Sequence, residues 1–365
     1  MQYKKVIALM AVIALLTVAI PVIASGDSTV NDTGEISITD SRDVIINLSQ
    51  PATHVASFGA FATNTLVDIG FLDSAVIFDA GSEYNKSAIP EMMNVSADKF
   101  ITISSSNKDA IIQTMLDLVD EGIWNKTTDV VFGYGYKSYV AMWTELEGYG
   151  INVIAFYPSS YDGIVQVVED IESVVGADHS VSEQMAYTKT YIAETLVENG
   201  ITNSSQKVRA LYASYSSNTL KLGNNGSVTV DFINYAGGYN VAEDPSMSTP
   251  TYSVDFSAII QLDPDYVLLD GYYIGTAEDF SALIGNPDIT VYKLNKSWNS
   301  YCPDATEGLW TIACLLYPDY FEGAIPVQTV DNSGDNMLIY AAVGILVVVG
   351  AVAVVFATRK RDGKD

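Results

Sequence analysis

Histidine and cysteine are nearly missing from this chain, with two of each among 365 residues. That scarcity excludes several functions. A zinc or manganese centre ordinarily draws on several imidazoles or thiolates, whereas His54 and His179 stand far apart, each just ahead of a structural element. Cys302 and Cys314 are too few for a disulfide framework. With helix from Ala305 onward they lie more than about 10 Å apart along its axis, beyond disulfide reach, and both read as structural. No Gly-x-Ser-x-Gly elbow, phosphate-binding glycine loop or His-Glu-x-x-His occurs. The chain does not read as an enzyme, and no cofactor or resident metal is expected.

Positive charge is the second shortage. Against 44 Asp and Glu stand 18 Lys and Arg, a net charge of −26. Residues 25–336 hold 42 of the acidic and only 12 of the basic residues, a net of −30. Such a field repels nucleic acid and anionic membrane surfaces, so neither is an expected partner.

The few basic residues at the two ends set a topology. MQYKK precedes an apolar run, Val6 to Ala24, that leaves through small residues before Ser25-Gly26-Asp27. This pattern predicts a signal peptide over 1–24. Met337 to Ala357 is 21 residues without a charge, enough to cross the hydrocarbon core, and Arg359, Lys360, Arg361 and Lys364 come after it. The positive-inside rule then holds the tail 358–365 in the cytoplasm. The expectation is a single-pass protein of the cell membrane with a large extracellular domain. Eight Asn-x-Ser/Thr sequons, at Asn31, Asn47, Asn85, Asn94, Asn125, Asn203, Asn225 and Asn295, suit a glycosylated surface protein of archaeal type.

Between the two apolar ends, short apolar strands alternate with amphipathic helices. A polar leader over 25–43 contains the start of a hairpin, Ile36 to Leu48. Strands after His54, at Ala75, Asp129 and Ile151, interleave with helices at 60–69, 109–119, 138–149 and 164–175, and this first lobe covers 44–178. A linker helix comes next, over 179–200: Ser180 and Glu183 suggest a capping box, Met185, Ile192 and Leu196 recur at helical spacing, and Asn199-Gly200 is a stop. The second lobe, 201–321, repeats the alternation, with strands at 208–215, 265–270 and 289–294. Its helices are expected at 228–236, 256–262, 277–284 and 305–316. Residues 322–336 form a tether. The fold class is α/β, two Rossmann-like lobes with parallel sheets joined by one long helix.

Tyrosine is abundant, 23 residues, and aromatic side chains recur where strands end. Ligands of parallel α/β sheets bind beyond the carboxyl ends of strands. Ser57, Phe58, Tyr84, Tyr134 and Tyr136 hold such positions in the first lobe, and Tyr215, Tyr272, Tyr273, Trp298 and Tyr301 in the second. A cleft walled by phenols and an indole suits a bulky, partly apolar ligand.

At Gln261-Leu-Asp-Pro-Asp-Tyr-Val-Leu-Leu the chain resembles the helix-to-strand step of the solute-binding proteins that serve cobalamin and ferric-siderophore ABC transporters. The resemblance extends through Thr39-Asp-Ser-Arg-Asp-Val-Ile-Ile, His54 to Gly70, Tyr235-Ala-Gly-Gly-Tyr-Asn-Val-Ala and Gly308 to Phe321, spanning roughly 36–322. It implies a metal chelate (corrinoid, siderophore or haem) as cargo, held between two lobes, and an ABC permease with its ATPase as partners. It also implies a docking carboxylate on each lobe. That position falls at Asp109 in the first lobe; in the second it falls at Ser257, with Asp255 two residues earlier as a substitute. The Pro-Asp usual before the third strand is replaced here by Asn125 to Asp129. The alternatives are a structural or adhesive surface protein on the same fold and an exported chelatase-like enzyme, which the two histidines disfavour.

Overall fold

The computed structural model describes residues 29–30, 35–83, 95–104 and 107–328. The apolar segments 1–24 and 337–357, and Tyr84, lie outside the described residues, among which no helix is long and apolar enough to cross a membrane.

The chain opens on an antiparallel sheet of β1 (Thr29–Val30), β2 (Ile36–Thr39) and β3 (Ile45–Leu48). Ile36, Ile38, Ile46 and Leu48 alternate inward onto the first lobe. The turn is clamped there by Asp40. Its carboxylate accepts from Arg42 Nε at 2.6 Å and from the Ala155 amide at 3.1 Å, while Arg42 reaches Glu147 at 2.7 Å.

The first lobe is built on β4 (Val55–Phe58), α1 (Ala60–Asp68), β5 (Ala75–Asp79), α2 (Ala80–Glu83), β6 (Phe100–Ile101), α3 (Lys108–Asp120), β7 (Val130–Tyr134), α4 (Val140–Gly148), β8 (Asn152–Phe156) and α5 (Tyr161–Val175). Its sheet runs β6-β5-β4-β7-β8, all parallel. Both faces are covered, α1 and α5 on one and α3 and α4 on the other, so the central strand VASF is buried at every position. Where a Pro-Asp step was expected, Asp129 stands buried, accepting the amides of Asn125 at 2.8 Å and His54 at 3.1 Å.

The linker helix α6 (Ser180–Glu198) starts differently from the expectation. Its N-cap is His179, in left-handed backbone at φ 61°, whose side chain makes no cap hydrogen bond, while Asp178 accepts the Ser180 amide at 3.1 Å. Glu172, buried on α5, instead accepts the amides of Val181 at 3.0 Å and Ser182 at 3.4 Å. A carboxylate from the neighbouring helix thus replaces the capping box, and it suits the positive end of the helix dipole. At the other end Gly200 turns at φ 80° and the Ile201 amide returns to the Leu196 carbonyl at 2.9 Å. Met185, Ile192 and Leu196 pack into the second lobe beside Phe232, Trp310 and Leu316.

The second lobe contains β9 (Arg209–Ser216), β10 (Thr219–Gly223), α7 (Val228–Tyr235), β11 (Tyr239–Asn240), β12 (Thr251–Val254), α8 (Phe256–Leu262), β13 (Tyr266–Leu269), α9 (Ala277–Ile284), β14 (Thr290–Lys293) and α10 (Asp304–Leu316). Its sheet corrects the expectation of purely parallel strands. The order is β12-β10-β9-β13-β14, with β11 pairing β9, and β10 is antiparallel to both β9 and β12. The cause is local: Ser217 and Asn218 both take positive φ, 49° and 58°, the backbone of a two-residue hairpin turn that sends the chain straight back. Because β12 reverses again, it ends on the same side as β9 and β13.

Candidate ligand cleft

Strand β7 reads Val-Val-Phe-Gly-Tyr, and its alternation sends Gly133 to one face and Tyr134 to the other. On the first face a Cβ at Gly133 would stand 2.5 Å from the Trp143 ring. Glycine therefore lets the indole close over the strand, and Trp143 Nε1 donates to the Tyr134 carbonyl at 2.9 Å. On the other face the Tyr134 ring lies 4.9 Å from Phe61 and stacks on Tyr136 at 5.2 Å and 24°. Tyr136 extends the cluster to Tyr157 at 5.2 Å and Tyr139 at 6.2 Å.

The second lobe enters this cluster through Tyr301. Its backbone is left-handed at φ 60°, which costs a bulky residue on the order of 1–2 kcal/mol. Compensation comes from across the lobes: its ring sits 6.5 Å from Phe61 and 6.3 Å from Tyr134, and its hydroxyl is hydrogen-bonded to Tyr136. The adjoining Cys302 is buried in the first-lobe core, with Asn64 Nδ2 3.8 Å from its sulfur.

Nearby, Gly271 lets the loops after β13 and β14 touch backbone to backbone, since a Cβ there would meet the Leu294 carbonyl oxygen at 2.7 Å. The result is a narrow crevice lined by Tyr212, Asp270, Tyr272, Lys296 and Trp298. Tyr272 is 65% exposed, within electrostatic reach of Tyr134 and Tyr136, and Lys296 Nζ stands 5.2 Å over its ring.

Burial dominates the titration of the cluster. It lifts Tyr134, Tyr136 and Tyr301 above the ordinary phenol range, and neighbouring phenols push Tyr134 and Tyr301 further. Asp79, half-buried at the end of β5, has its carboxyl raised by burial, against backbone hydrogen bonds that include the Ile103 amide at 3.3 Å. The Asp79 charge is felt at Tyr134.

The predicted residues divide. Tyr134, Tyr136 and Tyr301 meet in one cluster, with Tyr272 facing it and Trp298 behind the crevice, buried and stacked on Tyr292 at 6.5 Å. Ser57 and Phe58 stand apart from it, fully buried: Ser57 Oγ pairs with Thr63 Oγ1 at 2.7 Å, and Phe58 stacks on Trp143 at 6.2 Å. Tyr215 and Tyr273 form a separate group with Phe256 and Phe280, at 5.3–6.4 Å, over the second-lobe core. Asp109 is exposed in the first turn of α3, and Asp255 is exposed at the N-cap of α8 with no side-chain cap bond.

Sequence reasoning overlooked Asp79, Tyr139 and Tyr157. Asp79 carried a signal, since a carboxylate ending the apolar strand Ala-Val-Ile-Phe falls at the ligand end of the sheet. Tyr157 comes directly after β8 and had the same one. Among the described residues no group of three or more His, Cys, Asp or Glu could hold a metal ion.

No family model matches the sequence, and no curated protein is matched by it. Solved structures do share the fold. One is the molybdate periplasmic binding protein of Haemophilus influenzae (TM-score 0.58, 19% identity, 78% of this chain and 92% of that one). A second is the periplasmic haem-binding protein of Roseiflexus sp. RS-1 (TM-score 0.54, 14% identity, 73% and 98%). A third is the periplasmic vitamin B12-binding protein of Vibrio cholerae (TM-score 0.52, 17% identity, 73% and 98%). The fold is that of periplasmic solute-binding proteins.

Proposed function

We propose that this chain is the extracellular substrate-binding protein of an ABC importer, capturing a bulky metal chelate (corrinoid, haem or ferric siderophore) between its lobes. One observation carries the reading: Tyr301, held in strained backbone on the second lobe, completes a tyrosine cluster that belongs to the first. A ligand stacked there touches both lobes and binds only the folded, docked arrangement. The apolar run 337–357 anchors the domain, and Asp109 and Asp255, one exposed carboxylate per lobe, meet cations on the permease.

Native mass spectrometry of protein purified from its own host tests the proposal. The expected result is a co-purifying chelate, with cobalamin, haem or ferric siderophores raising the melting temperature of ligand-free protein. No bound molecule, together with no response to any of the three classes, would overturn it in favour of a structural surface protein.

A further inference from the structure

We infer that the cleft selects by charge: it takes a metal chelate that is cationic or neutral, with Asp79 as counter-charge, and discriminates against polyanions. The inference rests on the reading of the tyrosine cleft as the ligand site. The fold does not set the sign, because the structural relatives include one solved with molybdate, an anion. The side chains of this chain do.

Polyanionic chelates are ordinarily met by arginine, whose planar fork pairs with carboxylate or phenolate oxygens. Among the described residues there are two arginines, and both are committed elsewhere. Arg42 pairs with Asp40 and Glu147, and Arg209 donates to the carbonyls of Leu262 and Asp263. The cations flanking the cleft are Lys137, exposed beside Tyr136, and Lys296, exposed with its ammonium over the Tyr272 ring. A surface lysine of this kind is well solvated and weakly selective.

The negative groups are placed deeper. Asp79 ends β5, half-buried, where its carboxylate accepts backbone amides of Ala80, Gly81 and Ile103, the last at 3.3 Å; no cation among the described residues pairs with it, and its charge is felt at Tyr134. Asp270 lines the crevice beside Tyr272. The ring quadrupoles of Tyr134, Tyr136, Tyr272 and Tyr301 attract a cation and repel an anion at their faces. The net charge of −30 over residues 25–336 acts in the same direction at longer range. Among the described residues the elements of the cleft other than the two rim lysines favour positive charge.

The test compares three iron chelates by equilibrium dialysis: ferrioxamine B, which is singly cationic, its N-acetylated neutral derivative, and a triply anionic tris-catecholate iron(III) complex. The cation should bind about three-fold or more tighter than its neutral twin, and the trianion at least about ten-fold weaker than the cation. Asp79→Asn, which keeps the size and one acceptor oxygen, should shrink the cation's advantage over its neutral twin; unchanged melting of the free variant shows that it folds. Raising the salt should compress the same difference. A trianion bound as tightly as the cation, or a cation-to-neutral ratio that Asp79→Asn leaves unchanged, would overturn the charge assignment alone. Absence of binding by all three, by cobalamins and by haem would overturn the chelate reading, and this inference with it.

Discussion

The two lobes put tyrosines at the same topological place, beyond the carboxyl ends of parallel strands, and use them differently. In the first lobe Trp143 closes over Gly133 and holds the Tyr134 carbonyl from the opposite face of the strand, Phe61 backs the Tyr134 ring, and one side of the cluster stays open; Tyr136 is 38% and Tyr157 53% exposed. In the second, Tyr215 and Tyr273 are roofed by Phe256 and Phe280 and close the hydrophobic core. The difference lies in what packs on each ring. The Tyr134-Gly135-Tyr136 segment leaves its phenols partly open, whereas Phe256 on α8 and Phe280 on α9 pack against Tyr215 and Tyr273 and absorb them. Residue type and position within the topology are therefore insufficient; the neighbour that supports or covers the ring decides.

The comparison can be broken at its supports, where the largest effect is expected. Trp143→Ala and Phe280→Ala each remove a fully buried aromatic and should cost about 3–5 kcal/mol of stability. They should part in binding. Trp143→Ala also frees the Tyr134 carbonyl and should weaken chelate binding in whatever folded protein remains, while Phe280→Ala should leave affinity unchanged. Denaturant unfolding and dialysis on both variants decide the matter, and equal losses of affinity would dissolve the distinction.

A second, smaller effect concerns the joint between the lobes. Asp231 on α7 accepts the Tyr161 amide of α5 at 2.6 Å, and burial pushes its carboxyl up to about 6. Asp162, Lys189 and Tyr235 surround it: Lys189 pairs with Asp162 and stands 4.7 Å over the Tyr235 ring, whose hydroxyl donates to Asp162 at 2.7 Å. Because the folded-state value lies above the unfolded one, the native state keeps a proton that the unfolded chain releases. The contribution is favourable below about pH 4 and is lost as pH rises through about 6, a change on the order of 3 kcal/mol. Asp231→Asn, which retains the acceptor, should raise the melting temperature at pH 7 and flatten its dependence between pH 4 and 7. Identical profiles for variant and wild type would mean that the carboxylate is well solvated at the joint.

Single rings give the next test. Tyr136→Ala should lower chelate affinity about ten-fold, because the ring is partly exposed and faces the cleft, and should cost about 1 kcal/mol of stability through the lost link to Tyr301. Tyr273→Ala should do the reverse, destabilising the protein and sparing affinity. An affinity loss for Tyr273→Ala equal to that for Tyr136→Ala would place both lobes' tyrosines in one site.

Much of this architecture is written locally. The helices Phe256–Leu262 and Ala277–Ile284 fall where spacing and punctuation put them, the latter behind a Thr276–Asp279 capping box. Two features were not legible. The strands Thr219–Gly223 and Thr251–Val254 are short and polar on one face, and Ser217-Asn218 is a weak turn signal beside Asn-Gly, so the antiparallel edge of the second sheet went unread. The cap of the linker helix comes from Glu172, a contact made by tertiary packing. In the candidate cleft, position along a strand picked out Tyr134, Tyr136, Tyr272 and Tyr301, which gather in space, but it could not tell that Phe58 turns inward onto Trp143. Strand alternation specifies faces, and whether a face is covered depends on elements far along the chain.

The smallest effect carries the most chemistry. Tyr134, Tyr136 and Tyr301 can hold a ligand in two ways, by stacking their faces or by offering phenolate oxygen to a ferric ion. Burial raises all three above the ordinary phenol range, and between Tyr136 and Tyr301 a shared hydrogen bond already occupies one hydroxyl. On the proposed reading, burial and a coordination sphere already filled by the chelator both oppose phenolate ligation, so stacking is the expected mode. Tyr134→Phe keeps the ring and removes only the hydroxyl; affinity should stay within about two-fold, since the lost group contributes no net contact to the ligand. Tyr301→Phe also breaks the link to Tyr136 and should cost about 1 kcal/mol of stability, with affinity falling no more than a few-fold. Absorption spectra of the ferric complex are the sharper readout. Stacking predicts identical spectra for wild type and both variants. A visible charge-transfer band that vanishes in Tyr134→Phe would show iron bound to phenolate, and the first-lobe cluster would then be a set of metal ligands, set apart from the core tyrosines of the second lobe by chemistry as well as by exposure.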